Sequence, residues 1–136
     1  MLYETQEDLY RETKAIEHYV KLFKGSYKKL DKLDIDFKIF DENNLLIGYA
    51  EVKGRNKIIA DAYPLVVSVK KLSKLMDKRL NPTIIWACLD GIIYGKVQYL
   101  KGEIKYGGSS RSMELSDKEL MAYFDKQSQL KYFKYD

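Results

Sequence analysis

Apolar positions recur at helical spacing over residues 5–23, where Leu9, Ile16, Val20 and Phe23 make one stripe. Thr5 followed by Asp8 reads as a capping pair, acids crowd the first turn, and Gly25-Ser26 ends the helix. Residues 26–33 read as a lysine-rich connector. The period then falls to two. Residues 36–41 and 45–53 alternate apolar and polar side chains about Asp41-Glu42-Asn43-Asn44, which predicts two antiparallel strands joined by a hairpin turn. Residues 54–62 read as an irregular link. Pro64 is placed to open a second helix, with Leu65, Val69, Leu72 and Leu75 or Met76 on its buried side and Asn81-Pro82 as its stop. Residues 83–89 form a β-branched and aromatic run, a buried strand; Asp90-Gly91 is a turn, and residues 92–100 are a further strand. Beyond these, residues 103–106 pair weakly, 107–112 are a flexible loop, 117–125 a short helix, and 130–136 an aromatic and basic tail.

The order is helix, strand, strand, helix, strand, strand, then a small addition. A helix crossing between the second and third strands favours a parallel pair there, hence an α/β fold with a mixed sheet flanked by helices. The 136 residues are expected to form a single domain, 1–136, with a core over about 5–100 and a C-terminal addition at 101–136. No apolar run approaches the ~20 residues of a membrane span, and the acidic start lacks the basic and apolar regions of a signal peptide. The single cysteine, Cys88, has no internal partner. Together these point to a reducing cytoplasm and to no membrane partner. A net charge of +4 is compatible with a phosphate-backbone partner without demanding one. The basic residues gather at Lys21–Lys32 and Lys70–Arg79, two stretches able to touch phosphates or to serve as solvated faces.

Chemistry concentrates around the hairpin. Strand side chains alternate, so Glu51 and Lys53 point the same way. Asp36 opens the preceding strand, since Phe37, Ile39 and Phe40 continue directly from it; Asp34, two residues earlier, shares its face and competes as the first acid. Two carboxylates and a lysine at one sheet edge are the parts needed to hold a hard divalent cation and activate a water. Against this stands a plain surface ion pair between Glu51 and Lys53, worth little. Glu12 lies on the buried stripe of the first helix, where a carboxylate is costly unless a cation or a lysine offsets it; Glu17 flanks the stripe less centrally.

The pattern Asp36, then Glu51-Val52-Lys53 on the next strand, resembles the core of the PD-(D/E)XK nuclease superfamily, in which an Asp is followed by Glu-x-Lys at a sheet hairpin. The resemblance spans about residues 5–100 and extends to small phage-encoded nucleases and archaeal Holliday-junction resolvases, with Ile35 standing where the family has its proline. It implies a restriction-endonuclease-like αββαβ core and an Mg²⁺- or Mn²⁺-dependent deoxyribonuclease, acting as an endonuclease on DNA in the cytoplasm, or in the host's if viral. With no added DNA-reading domain, structure-selective cutting is expected over long-sequence recognition, and a branched junction, a flap, a single strand or a duplex would each suit so bare a core. Asp36, Glu51 and the Val52 carbonyl would ligate the metal. Lys53 would offset charge growing on the phosphate, and Glu12 would reach the metal directly or through water. Lys71, or Lys70 in its place, would face the site from the second helix, and Arg55, with Lys57 as the weaker option, would bind a phosphate. Small single-site nucleases commonly pair by two-fold symmetry to cut two strands, so a homodimer is expected. The alternative is a non-catalytic nucleic-acid-binding or assembly protein that retains the nuclease fold.

Other residues carry less. His18 is the only histidine, which argues against an HNH-type centre. Cys88 alternates with Trp86 and Ile84 and reads as core; no cysteine cluster exists for zinc. Gly107-Gly108 lacks the setting of a phosphate loop. The twelve tyrosines read as packing groups first and base-stacking groups second.

Overall fold

The computed structural model describes residues 6–30, 35–108 and 118–135. Helix α1 (Gln6–Lys21) buries Ala15, Ile16, Tyr19 and Val20. Leu9, at the outer end of its stripe, stays 39% exposed. The chain then enters β1 (Ser26–Lys29), β2 (Phe37–Phe40) and β3 (Leu46–Gly54). The lysine-rich segment expected as a connector is therefore, over Ser26–Lys29, an edge strand paired antiparallel to β2. Tyr27 packs edge-on against Phe37, centroids 5.4 Å apart, while Ser26, Lys28 and Lys29 stay in solvent. Lysines on an edge strand discourage further pairing, so their abundance was compatible with a strand.

After an irregular link come β4 (Leu65–Ser68), α2 (Val69–Lys74), β5 (Thr83–Ala87) and β6 (Gly91–Lys96). Pro64 opens a strand, not the expected helix. Leu65 and Val67 point inward from β4, and Ser68 caps α2 by accepting the Lys71 N–H at 3.1 Å. The helix ends at Lys74, well before Asn81-Pro82. The expected strand over 92–100 stops at Lys96 and turns through Val97–Tyr99. Last come β7 (Glu103–Gly108), β8 (Lys118–Phe124) and β9 (Lys131–Lys134). The expected helix at 117–125 is thus a strand over its described part: Ala122 and Phe124 recur with period two and are buried. Gly107 and Gly108 belong to β7, whereas residues 109–117, with most of the expected loop, lie outside the described residues.

The main sheet runs β1-β2-β3-β5-β6-β9, and a smaller one runs β4-β8-β7. As expected, β3 and β5 are parallel, with Glu51 beside Ile84 and Lys53 beside Trp86; the other pairs of the main sheet are antiparallel. The aromatic and basic tail supplies β9 as its far edge. This is a mixed α/β architecture in three layers. On one face α1 packs Ile16, Tyr19 and Val20 against Phe37, Ile39, Ala50, Ile85 and Ile92. On the other, Leu65, Val67, Leu75 and Phe124 cover Ile84, Trp86 and Ile93. Every residue of β5 is buried because both its faces are covered.

Candidate functional site

Register brings the site together. Asp41 builds the hairpin turn: its Oδ1 accepts the N–H groups of Asn43 and Leu45, each at 2.9 Å, and Asn44 takes φ 65°. Near the turn Phe40 pairs with Leu46, but beyond a β-bulge Phe37 pairs with Ala50. The one-residue shift sets Asp36, just past the end of β2, opposite Glu51; without it Asp36 would stand opposite Ala50. The bulge is held from outside. Asn81 donates its side-chain N–H to the Ile47 carbonyl at 2.8 Å. A side chain on Gly48 would meet the Asn81 carbonyl oxygen at 2.6 Å, so glycine is required there.

Asp36 is tied to β3 through its Oδ2, which accepts the Val52 N–H at 2.9 Å. Glu51 is 2% exposed. Its Oε2 pairs with Lys71 Nζ at 2.9 Å, and its Oε1 has no hydrogen-bond partner. Burial, and next the Asp36 carboxylate, push the Glu51 carboxyl up to about 7; Lys71 opposes the rise without cancelling it. A buried acid is thus held facing another acid, an arrangement relieved by a proton shared with Asp36 or by a cation.

The two acids open into a cleft of about 420 Å³ at the carboxyl end of β3. Val52, Lys53 and Gly54 continue its wall from β3, Ala87 closes it from β5, Lys71 reaches in from α2, and Asp8, Arg11 and Glu12 line it from α1. Four carboxyl groups stand against three cationic side chains in the cleft, so with Glu51 ionised it is net acidic, a poor receptor for a phosphodiester until a cation enters. Among the described residues no three His, Cys, Asp or Glu side chains gather as a metal cage. Were a cation bound here, Asp36 and Glu51 would be its carboxylates and the Val52 carbonyl the adjacent oxygen; hard cations take such oxygens, and Mg²⁺ keeps several waters.

Of the other expected site residues, Lys53 lines the cleft, half-buried. Lys71 is there too, as Glu51's partner. Glu12 lines the cleft and pairs with Lys29 of β1, so a lysine offsets its burial. Arg55 is not on the cleft wall: its Nε donates to the Ala62 carbonyl at 2.9 Å and its Nη2 to that of Pro64 at 3.4 Å, which ties the link after β3 to β4. Lys70 and Lys57 are exposed and also stand off the cleft wall, as does Glu17. Asp34 lies outside the described residues.

Arg11 escaped the sequence reading. Its guanidinium lies over Gly54, where a Cβ would come within 2.8 Å of Nη1. The available signal was Gly54 directly after Glu51-Val52-Lys53: a glycine ending a strand marks close approach by another group. His18, expected as a lone exposed histidine, is half-buried, its ring 4.5 Å from that of Tyr135; Cys88 is buried core, as expected. Among the described residues no helix is long and apolar enough to cross a membrane. No protein-family model matches the chain, and no curated protein or solved structure is detectably similar to it.

Proposed function

We propose that this chain is a divalent-metal-dependent nuclease that hydrolyses DNA phosphodiester bonds on a restriction-endonuclease-like core. The observation that carries the reading is the buried Glu51 carboxylate, set opposite Asp36 with Oε1 unsatisfied, at the head of a cleft that also holds Lys53. Maintaining two facing acids costs stability in the metal-free protein, and a bound cation gives that cost a purpose. The succession α1, β2, β3, α2, β5 supports the same reading, with β1 and β4 as additions to the expected core.

Asp36 and Glu51 would hold the ion, Mg²⁺ or Mn²⁺, which would supply positive charge and a water of lowered pKa. Lys53 places its ammonium where charge grows on the phosphate. Arg11, laid over Gly54, binds a neighbouring phosphate oxygen, the role the sequence suggested for Arg55. Lys71 holds Glu51 Oε2 and so fixes the carboxylate, leaving the buried Oε1 as the oxygen for the ion. Two copies related by a two-fold axis would cut both strands of a duplex.

One observation favours a second reading. The 2.9 Å Lys71–Glu51 pair already offers Glu51 a cationic partner, as it would in a non-catalytic DNA-binding or assembly protein on the same fold. Cleavage decides. Labelled duplex, single-stranded, flap and four-way-junction DNA are incubated with Mg²⁺ or Mn²⁺ and wild-type protein or Lys53→Ala. Cutting by wild type, lost in Lys53→Ala, supports the nuclease. Binding without cutting on every substrate supports the second reading.

A further inference from the structure

Beside the cleft lies a second cavity of about 370 Å³, and the two share Arg11 as a wall. They flank the end of β5: Ala87 borders the first, Cys88 and Leu89 the second. The walls of the second differ in kind. Tyr10, from α1, is 69% exposed, and Leu89 is 58% exposed. Tyr135 closes the far side, with Lys14 Nζ 4.5 Å above its ring and 6.0 Å from that of Tyr10. Arg11 and Lys14 outweigh Glu7, so this cavity is net basic where its neighbour is net acidic. Burial, and then the Asp90 charge, push the Cys88 thiol up to about 11; it is a neutral wall, not a nucleophile.

An aromatic floor with cationic walls, continuous through one arginine with a site for a phosphodiester, matches the chemistry of a nucleotide: a π-face for the base and positive charge for its phosphate. A base stacked inside a duplex cannot enter such a cavity; one already unpaired enters without the cost of extrusion. We infer that the cavity bounded by Tyr10, Lys14, Leu89 and Tyr135 receives an unpaired nucleotide next to the scissile phosphate, which makes single-stranded or flapped DNA the preferred substrate. The inference rests on the nuclease reading for the neighbouring cleft. Arg11 spans both cavities and sets the spacing between the stacked base and the phosphate. Tyr10, so exposed, contributes little to the core, and its replacement leaves the fold intact.

The test pairs a protein change with a substrate change. Wild type, Tyr10→Ala and Tyr10→Phe are assayed with Mn²⁺ on a labelled oligothymidine strand and on strands in which one position at a time is abasic. Binding of the same strands is measured by fluorescence anisotropy in EDTA. The expected loss for Tyr10→Ala on the intact strand is about 5- to 150-fold in kcat/KM and in affinity, the worth of one base–aromatic stack. Tyr10→Phe retains both. One abasic position reproduces the loss with wild type and adds nothing to Tyr10→Ala. If wild type cuts and neither Tyr10→Ala nor any abasic position changes cutting or binding, the inference is overturned and the nuclease stands. If nothing is cut yet binding depends on Tyr10 and on one base, the nuclease reading fails while the nucleotide cavity holds. Absence of cutting together with Tyr10-independent binding removes both.

Discussion

Glu51→Gln should stabilise the metal-free protein at alkaline pH. The Glu51 carboxyl is raised from 4.5 to about 7, chiefly by burial and then by Asp36. The folded protein therefore binds this proton more tightly than the unfolded chain does. Stability from the protonated acid is full below about 4.5, falls as pH rises through about 7, and is gone above it. The span of about 2.5 units corresponds to roughly 3 kcal/mol of destabilisation by the ionised acid at pH 8. Glutamine removes that charge but buries an amide, worth roughly 1–2 kcal/mol against it. It also releases Lys71, which is 36% exposed and regains water at little cost. The balance is a gain of about 1–2 kcal/mol at pH 8 and near neutrality at pH 5.

Urea unfolding in EDTA at pH 5, 6, 7 and 8 reads this directly. With a slope of about 1–3 kcal/mol per molar, the variant's midpoint at pH 8 should lie roughly 0.5–1 M above the wild type's. The curves should converge towards pH 5. Adding Mn²⁺ should reverse the order, because an ion at a hundred times its Kd contributes about 2.7 kcal/mol to the protein that binds it. If Glu51→Gln is instead less stable than wild type at pH 8 in EDTA, the Lys71–Glu51 pair is a net stabiliser. Breaking a buried pair of that kind costs about 3–5 kcal/mol. Such a result would refute the argument that Glu51 is held at a cost for a cation.

Mn²⁺ affinity measured by titration calorimetry should fall steeply below pH 7, as Glu51 takes up its proton, and should rise little above pH 8. Asn81→Ala removes the hydrogen bond to the Ile47 carbonyl at the bulge; it should lower stability by about 1–2 kcal/mol in urea unfolding and weaken Mn²⁺ binding, although Asn81 does not line the cleft. Gly54→Leu should displace the Arg11 guanidinium, raising KM for DNA more than it lowers kcat, with Mn²⁺ affinity retained.

The acids, the lysine and the parallel pair were legible because they rest on local period. Alternation across residues 45–53 puts Glu51 and Lys53 on one face wherever the strand ends up. A buried run at 83–89 after a long crossover leaves few places for its partner. Three other features depend on partners distant in sequence. Leu120-Met121-Ala122-Tyr123-Phe124 lies in the stretch 117–125 read as a short helix; pairing with both β4 and β7 settles it as a strand. Leu65 and Val67 fit either element until β4 pairs with β8, Leu65 against Phe124 and Val67 against Ala122. Arg11 shows its use only when Gly54 arrives beneath it.

The bulge carries this further. A hairpin read straight from its turn pairs Phe40 with Leu46 and would carry Asp36 to Ala50, one residue out of place. The correction comes from Asn81, thirty-four residues after Ile47, in the stretch read only as a helix stop. Motif spacing in the sequence is therefore not sufficient to make the site: Asp36 faces Glu51 because a residue on the far side of the crossover holds one extra residue in β3. Loss of that hold should separate the acids while leaving every residue of the motif in place.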